Sequence, residues 1–167
     1  CVYKLVAIED ENGEMVPTVK ISNNAEKVST PGKKQVWRIT RKSDGKSEGD
    51  YIALWHERPD ELEELYMFHP VYTYINKTVT DFTARPILQP IFNNGKLVYE
   101  LPTLQEIKAY KDEQIEALWD EYKRILNPEQ YPVDLSQKTY DQKLASIAEI
   151  REEVRLKSEQ LAKENAK

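Results

Sequence analysis

Three dipeptides, Asn12-Gly13, Asp44-Gly45 and Asn94-Gly95, each separate two short runs rich in β-branched and aromatic residues. Asn-Gly and Asp-Gly take up positive φ at little cost, which is what a tight hairpin loop demands, so each dipeptide predicts a pair of antiparallel strands. Val2–Ile8 and Met15–Ile21 flank the first turn, and Pro17 pushes the second of these runs toward an edge. Gln35–Arg41 and Asp50–His56 flank the second turn. Val71–Phe92 leads into the third and Lys96–Leu101 leaves it, with Pro86 and Pro90 making the long run broken or peripheral. The first half of the chain is therefore committed to antiparallel β structure.

The periodicity changes after Pro102. Thr103 and Glu106 have capping-box spacing, and Leu104, Ile107, Ile115, Leu118, Tyr122, Ile125 and Leu126 recur at helical intervals up to Asn127-Pro128. Lys111 interrupts that face once. Tyr131–Asp134 reads as a connector. Ser136 is a cap for a second helix with Tyr140, Leu144, Ile147, Ile150 and Val154 on one side, and beyond Arg155 the pattern thins toward an exposed or frayed end. The expected fold class is α+β, with antiparallel β hairpins first and a helical C-terminal extension after them. The charged, proline-bearing stretch Glu57–Glu61 predicts a boundary. It separates a β segment, residues 1–57, from a C-terminal domain, residues 58–167, made of a β hairpin and two helices.

Composition narrows the function classes. The 167 residues carry a net charge of -5, which disfavours nucleic acid as a partner. No apolar run approaches the roughly 18 residues of a membrane span. One cysteine excludes an internal disulfide framework and a cysteine-based zinc site, and a reducing, cytoplasmic setting is expected. A strand that begins at Val2 without lead-in predicts a piece of a longer protein.

Against the acidic background, the basic loop 20–41 stands out. Between Lys20 and Lys46 eight basic side chains face two acidic ones, a local balance of +6. Such asymmetry concentrates positive potential where a polyanion could be held. Lys20, Lys33, Lys34 and Arg38 are the candidate phosphate-binding residues, with hydroxyls from Ser22, Ser29 and Thr30 and the backbone N–H of Gly32 as further donors. The plain alternative is a solvated loop. His69 reads as structural, His56 as solvated, and Glu61, Glu63 and Glu64 as a solvated face. Tyr66, Tyr72, Tyr74 and Tyr99 read as a half-buried sheet face. No catalytic constellation and no metal site is present in the sequence.

Ordered stretches resemble the C-terminal region of the nicotinate phosphoribosyltransferase family: Val2-Tyr3-Lys4-Leu5-Val6, Val19-Lys20-Ile21-Ser22, Thr30-Pro31-Gly32-Lys33-Lys34-Gln35-Val36-Trp37-Arg38, Phe68-His69-Pro70, Ala84-Arg85-Pro86, Gly95–Pro102, Leu118–Arg124 and Leu126-Asn127-Pro128. The resemblance implies part of a larger α/β-barrel enzyme that forms nicotinate mononucleotide and diphosphate from nicotinate and 5-phosphoribosyl 1-diphosphate. It also implies ATP hydrolysis, Mg2+, a place in NAD salvage and a homodimer. The chain would follow the barrel, so the family's catalytic residues would lie upstream. No catalytic residue, metal ligand or bound cofactor is then expected here, and the isolated chain is expected to be inactive. Lys20, Lys33, Lys34 and Arg38 match the positions that would approach the substrate diphosphate. The alternative reading is a stand-alone interaction or scaffold module using the helices at 103–126 and 136–154.

Overall fold

The computed structural model describes residues 3–24 and 27–165. Cys1 and Val2, and with them the expected strand start, lie outside the described residues. The chain divides into two compact units, one of Cys1–Lys34 with Gln137–Lys167, the other of Gln35–Ser136.

In the first unit β1 (Ala7–Glu9) and β2 (Met15–Pro17) pair antiparallel, with Ala7 opposite Pro17. The turn is built by Asp10, whose Oδ1 accepts from the N–H of Asn12 (2.9 Å) and of Glu14 (2.8 Å), while Gly13 takes φ +81°. Both strands are shorter than expected. Pro17 has no N–H to extend the ladder, and the Val6 carbonyl instead receives Thr18 N–H (2.9 Å) and Gly32 N–H (2.7 Å). The unit also holds a helix of 29 residues, α3 (Gln137–Asn165).

The second unit is a six-stranded sheet. β3 (Lys34–Arg41) and β4 (Ser47–Leu54) are neighbours in it, joined by a turn at Lys42–Gly45. A 3-10 turn at Pro59–Glu61 leads to β5 (Leu65–Phe68), then β6 (Asn76–Val79) and β7 (Phe82–Pro86). A minimal hairpin follows, β8 (Phe92–Asn93) and β9 (Lys96–Leu97), with Asn94 and Gly95 both at positive φ. Helices α1 (Leu104–Glu116) and α2 (Asp120–Lys123) precede β10 (Val133–Leu135). The strand order is β6-β5-β10-β4-β3-β7, and β10 runs parallel to β4 but antiparallel to β5. The antiparallel hairpins and the helical C-terminal part match the expected class.

Alternation sorts β3 into two faces. Trp37 and Ile39 are buried with Tyr51, Ala53, Leu65, Met67 and Phe82 in the core. Each such side chain contributes roughly 1.5–3 kcal/mol on burial. Val36, Arg38 and Thr40 point the other way and remain half-buried. Gly49, at φ +137°, lets β4 pass close to Pro132, where an added Cβ would meet Pro132 at 3.1 Å.

Several elements depart from expectation. The helix expected to reach Leu126 stops at Glu116. Ser47 N–H takes the Ala117 carbonyl (2.8 Å), Lys46 Nζ takes those of Glu116 (2.8 Å) and Leu118 (3.3 Å), and Trp119 Nε1 donates to Ser47 O (2.9 Å). Tertiary partners thus satisfy the orphan carbonyls and end the helix early. β5 lies after the predicted boundary in a stretch assigned no strand, and β10 overlaps what read as a connector. The run Val71–Phe92 resolves into β6 and β7 with turns around them. Trp55 and His56 lie beyond the end of β4. The tail past Arg155 is exposed, as expected, and helical as far as Asn165, with Arg155 paired to Glu152 and Glu159 and Lys157 to Glu153.

Candidate functional site

The basic loop is tied to its own unit by backbone bonds. Lys20 N–H donates to Ser29 Oγ (2.8 Å) and Ser29 N–H returns to Lys20 O (3.2 Å), closing a small ring at the loop's base. Pro31 and Gly32 are buried, and Gln142 Nε2 of α3 donates to Pro31 O (3.2 Å). The Gly32 N–H, expected to be available to an anion, is spent on Val6 O. The Ser29 hydroxyl is buried at 4% exposure and already accepts from Lys20, so it too is withdrawn from a ligand.

The four sequence candidates fall into different surroundings. Lys20 and Lys33 are exposed. Lys34 is half-buried and folds back on the loop, its Nζ donating to Thr30 O (2.7 Å) and Gly32 O (2.6 Å). Burial lowers its ammonium to about 8, and the two carbonyls replace the water it has lost. Lys20, Lys33 and Lys34 share the first unit; Arg38 belongs to the second.

Arg38 is held on several sides. Nε and Nη2 form a two-point bond with Asp50 (2.9 and 3.1 Å), and Nη1 donates to Gln114 Oε1 (3.0 Å) on α1. Tyr131 OH donates to Asp50 Oδ1 (3.2 Å) and lies 2.6 Å from Ser47 Oγ. The hydrogen-bonded Asp50 raises the Arg38 guanidinium above its ordinary range. Burial, chiefly, pushes the Tyr131 hydroxyl up to about 12. Arg85 Nη2 reaches Tyr110 OH and Gln114 Oε1, each at 3.2 Å. Arg38, Asp50, Tyr110, Gln114 and Tyr131 border a cavity of about 650 Å³ within the second unit. The sequence showed Arg38 as a cation but not this cavity; the visible signal was Lys111, a lone charge in the apolar pattern of α1.

His69 is structural, as expected: Nδ1 accepts from the N–H of Val71 (3.1 Å) and Tyr72 (2.9 Å). His56 is exposed. Tyr72 and Tyr74 are not on a sheet face; they lie in the loop before β6 and are 50% and 79% exposed. Among the described residues no group of three or more His, Cys, Asp or Glu could hold a metal ion, and no helix is long and apolar enough to cross a membrane.

A family model described as "Nicotinate phosphoribosyltransferase C-terminal domain" matches residues 33–143. The chain is 50% identical over 153 residues to nicotinate phosphoribosyltransferase of Bacillus subtilis (strain 168), covering 92% of this chain and 31% of that protein. It is 32% identical over 142 residues to the Caenorhabditis elegans enzyme of the same name, covering 84% of this chain and 24% of that one. The crystal structure of human nicotinic acid phosphoribosyltransferase superposes with a TM-score of 0.60 at 28% identity, covering 66% of this chain and 22% of that one. The chain thus spans less than a third of the length of these relatives.

Proposed function

Since this chain belongs to the nicotinate phosphoribosyltransferase family through its C-terminal domain, we propose that it serves an enzyme joining nicotinate to the ribosyl phosphate of 5-phosphoribosyl 1-diphosphate, within NAD biosynthesis. In this reading the chain follows the catalytic barrel. ATP, Mg2+, a homodimer and a cytoplasmic setting belong to the same proposal for the full-length protein. The described residues offer no donor set suited to a metal ion, so no step is assigned to them through one.

The chain's own contribution is electrostatic. As the bond between ribose and diphosphate breaks, negative charge grows on the departing diphosphate, and cations already in place stabilise that transition state. The observation that carries the assignment is the contrast within the loop. Lys20 and Lys33 are exposed, whereas Lys34 and Arg38 are half-buried. We therefore give direct contact with the diphosphate to Lys20 and Lys33. Lys34 fixes the loop that carries them, and Arg38 fixes the strand into which the loop runs.

The test is kinetic. In the full-length enzyme, Lys20→Ala and Lys33→Ala should each raise KM for 5-phosphoribosyl 1-diphosphate by about tenfold, with KM for nicotinate unchanged. Wild-type kinetics in both variants would remove the loop from the substrate site.

A further inference from the structure

We propose that the cavity beside α1 binds a small amphiphilic anion: an aromatic or branched apolar body carrying one carboxylate or phosphate. The cavity lies wholly among residues 38–131 and, at about 650 Å³, falls in the range of small-molecule sites. Ile87, Ile107, Ile115 and Leu118 give it an apolar lining. Helix α1 buries none of its residues, and Ile107 and Ile115 stay 49% and 45% exposed although both line this space. An apolar guest would remove that surface from water at roughly 25 cal/mol per Å².

The polar groups select the head of the guest. Arg38 and Lys111 line the cavity against one carboxylate, Asp50. Asp50 is ion-paired with Arg38, so the two charges offset each other and Lys111 decides the sign of the site. Three of the five guanidinium N–H groups of Arg38 are committed, which leaves two. Lys111 is bonded to Asp112, but Asp112 divides its single charge between Lys108 and Lys111. One positive charge is therefore uncompensated. The pair is exposed and weak, so Lys111 can exchange it for a guest.

Protein-observed NMR of the 15N-labelled chain, titrated with benzoate, benzyl alcohol and phenyl phosphate, tests the assignment. The expected result is saturable shifts of the Arg38, Ile107, Lys111 and Gln114 amides with benzoate or phenyl phosphate. The better anion should bind about tenfold more tightly than benzyl alcohol. Whichever anion binds more tightly identifies the head group. Lys111→Glu, at an exposed position that leaves the fold intact, should weaken anion binding by about tenfold and leave benzyl alcohol unaffected. Three results overturn the proposal: no saturable shift at these amides with either anion, equal affinity for benzyl alcohol, or unchanged anion affinity in Lys111→Glu.

Discussion

With three N–H groups on Asp50 and Gln114, the Arg38 guanidinium fastens β3 to β4 and to α1. Removing Arg38 strands the carboxylate of Asp50, which is buried. Arg38→Met should therefore cost about 3 kcal/mol by urea denaturation, and the double variant Arg38→Met/Asp50→Leu distinctly less. A loss in the double variant equal to the sum of the Arg38→Met and Asp50→Leu losses would mean that the pair is not coupled. Lys34 makes a prediction with a pH signature. Its ammonium is lowered from 10.5 to about 8 by burial, so between those values the unfolded chain binds the extra proton. Stability therefore rises with pH from about 8 toward 10.5, and the cost is fully present below the folded value. Urea midpoints should show this rise, and Lys34→Met should lack Lys34's share of it. The basic character of both residues could be read from the sequence. Their partners could not: Asp50 reaches Arg38 because β4 lies beside β3 in the sheet, and the acceptors of Lys34 are backbone carbonyls that carry no sequence signal.

Within the elements, β4 depends on a backbone position that only glycine fits well. Gly49 combines φ +137° with a neighbour 3.1 Å from any Cβ. Gly49→Ala should lower stability by about 2–3 kcal/mol in thermal or urea unfolding, through strain and through loss of the close approach of Pro132. An effect below about 0.5 kcal/mol would show that the strand can shift at no cost. The turns were the most legible feature of the chain, because Asn-Gly and Asp-Gly act through their own φ. The capping box of α1 was legible for the same reason, with Thr103 and Glu106 bonded reciprocally. The end of α1 was not, since its carbonyls are taken by Lys46 and Ser47 some 70 residues earlier. β10 is three residues long and exists by pairing with β4, so nothing local announced it. β5 was hidden by the acidic run before it, although buried Leu65 and Met67 flank exposed Tyr66 in strand alternation.

For the whole molecule, the chain spans 31% or less of the relatives described above, and the proposed activity is assigned to the full-length protein. The 167-residue chain alone should form no nicotinate mononucleotide from nicotinate, 5-phosphoribosyl 1-diphosphate, ATP and Mg2+. Measurable product from the pure chain would overturn the assignment of the chemistry to residues outside it. The first unit is also discontinuous: residues 1–34 are completed by residues 137–167, and the sheet-bearing unit is the stretch between them. On a ribosome, which delivers the chain from its N-terminus, every strand of the inserted unit has emerged once Leu135 is out. Gln142, the α3 residue that clasps Pro31 at the base of the basic loop, arrives only afterwards. The lysines proposed to meet the diphosphate are thus made before the sheet-bearing unit and clasped only after it.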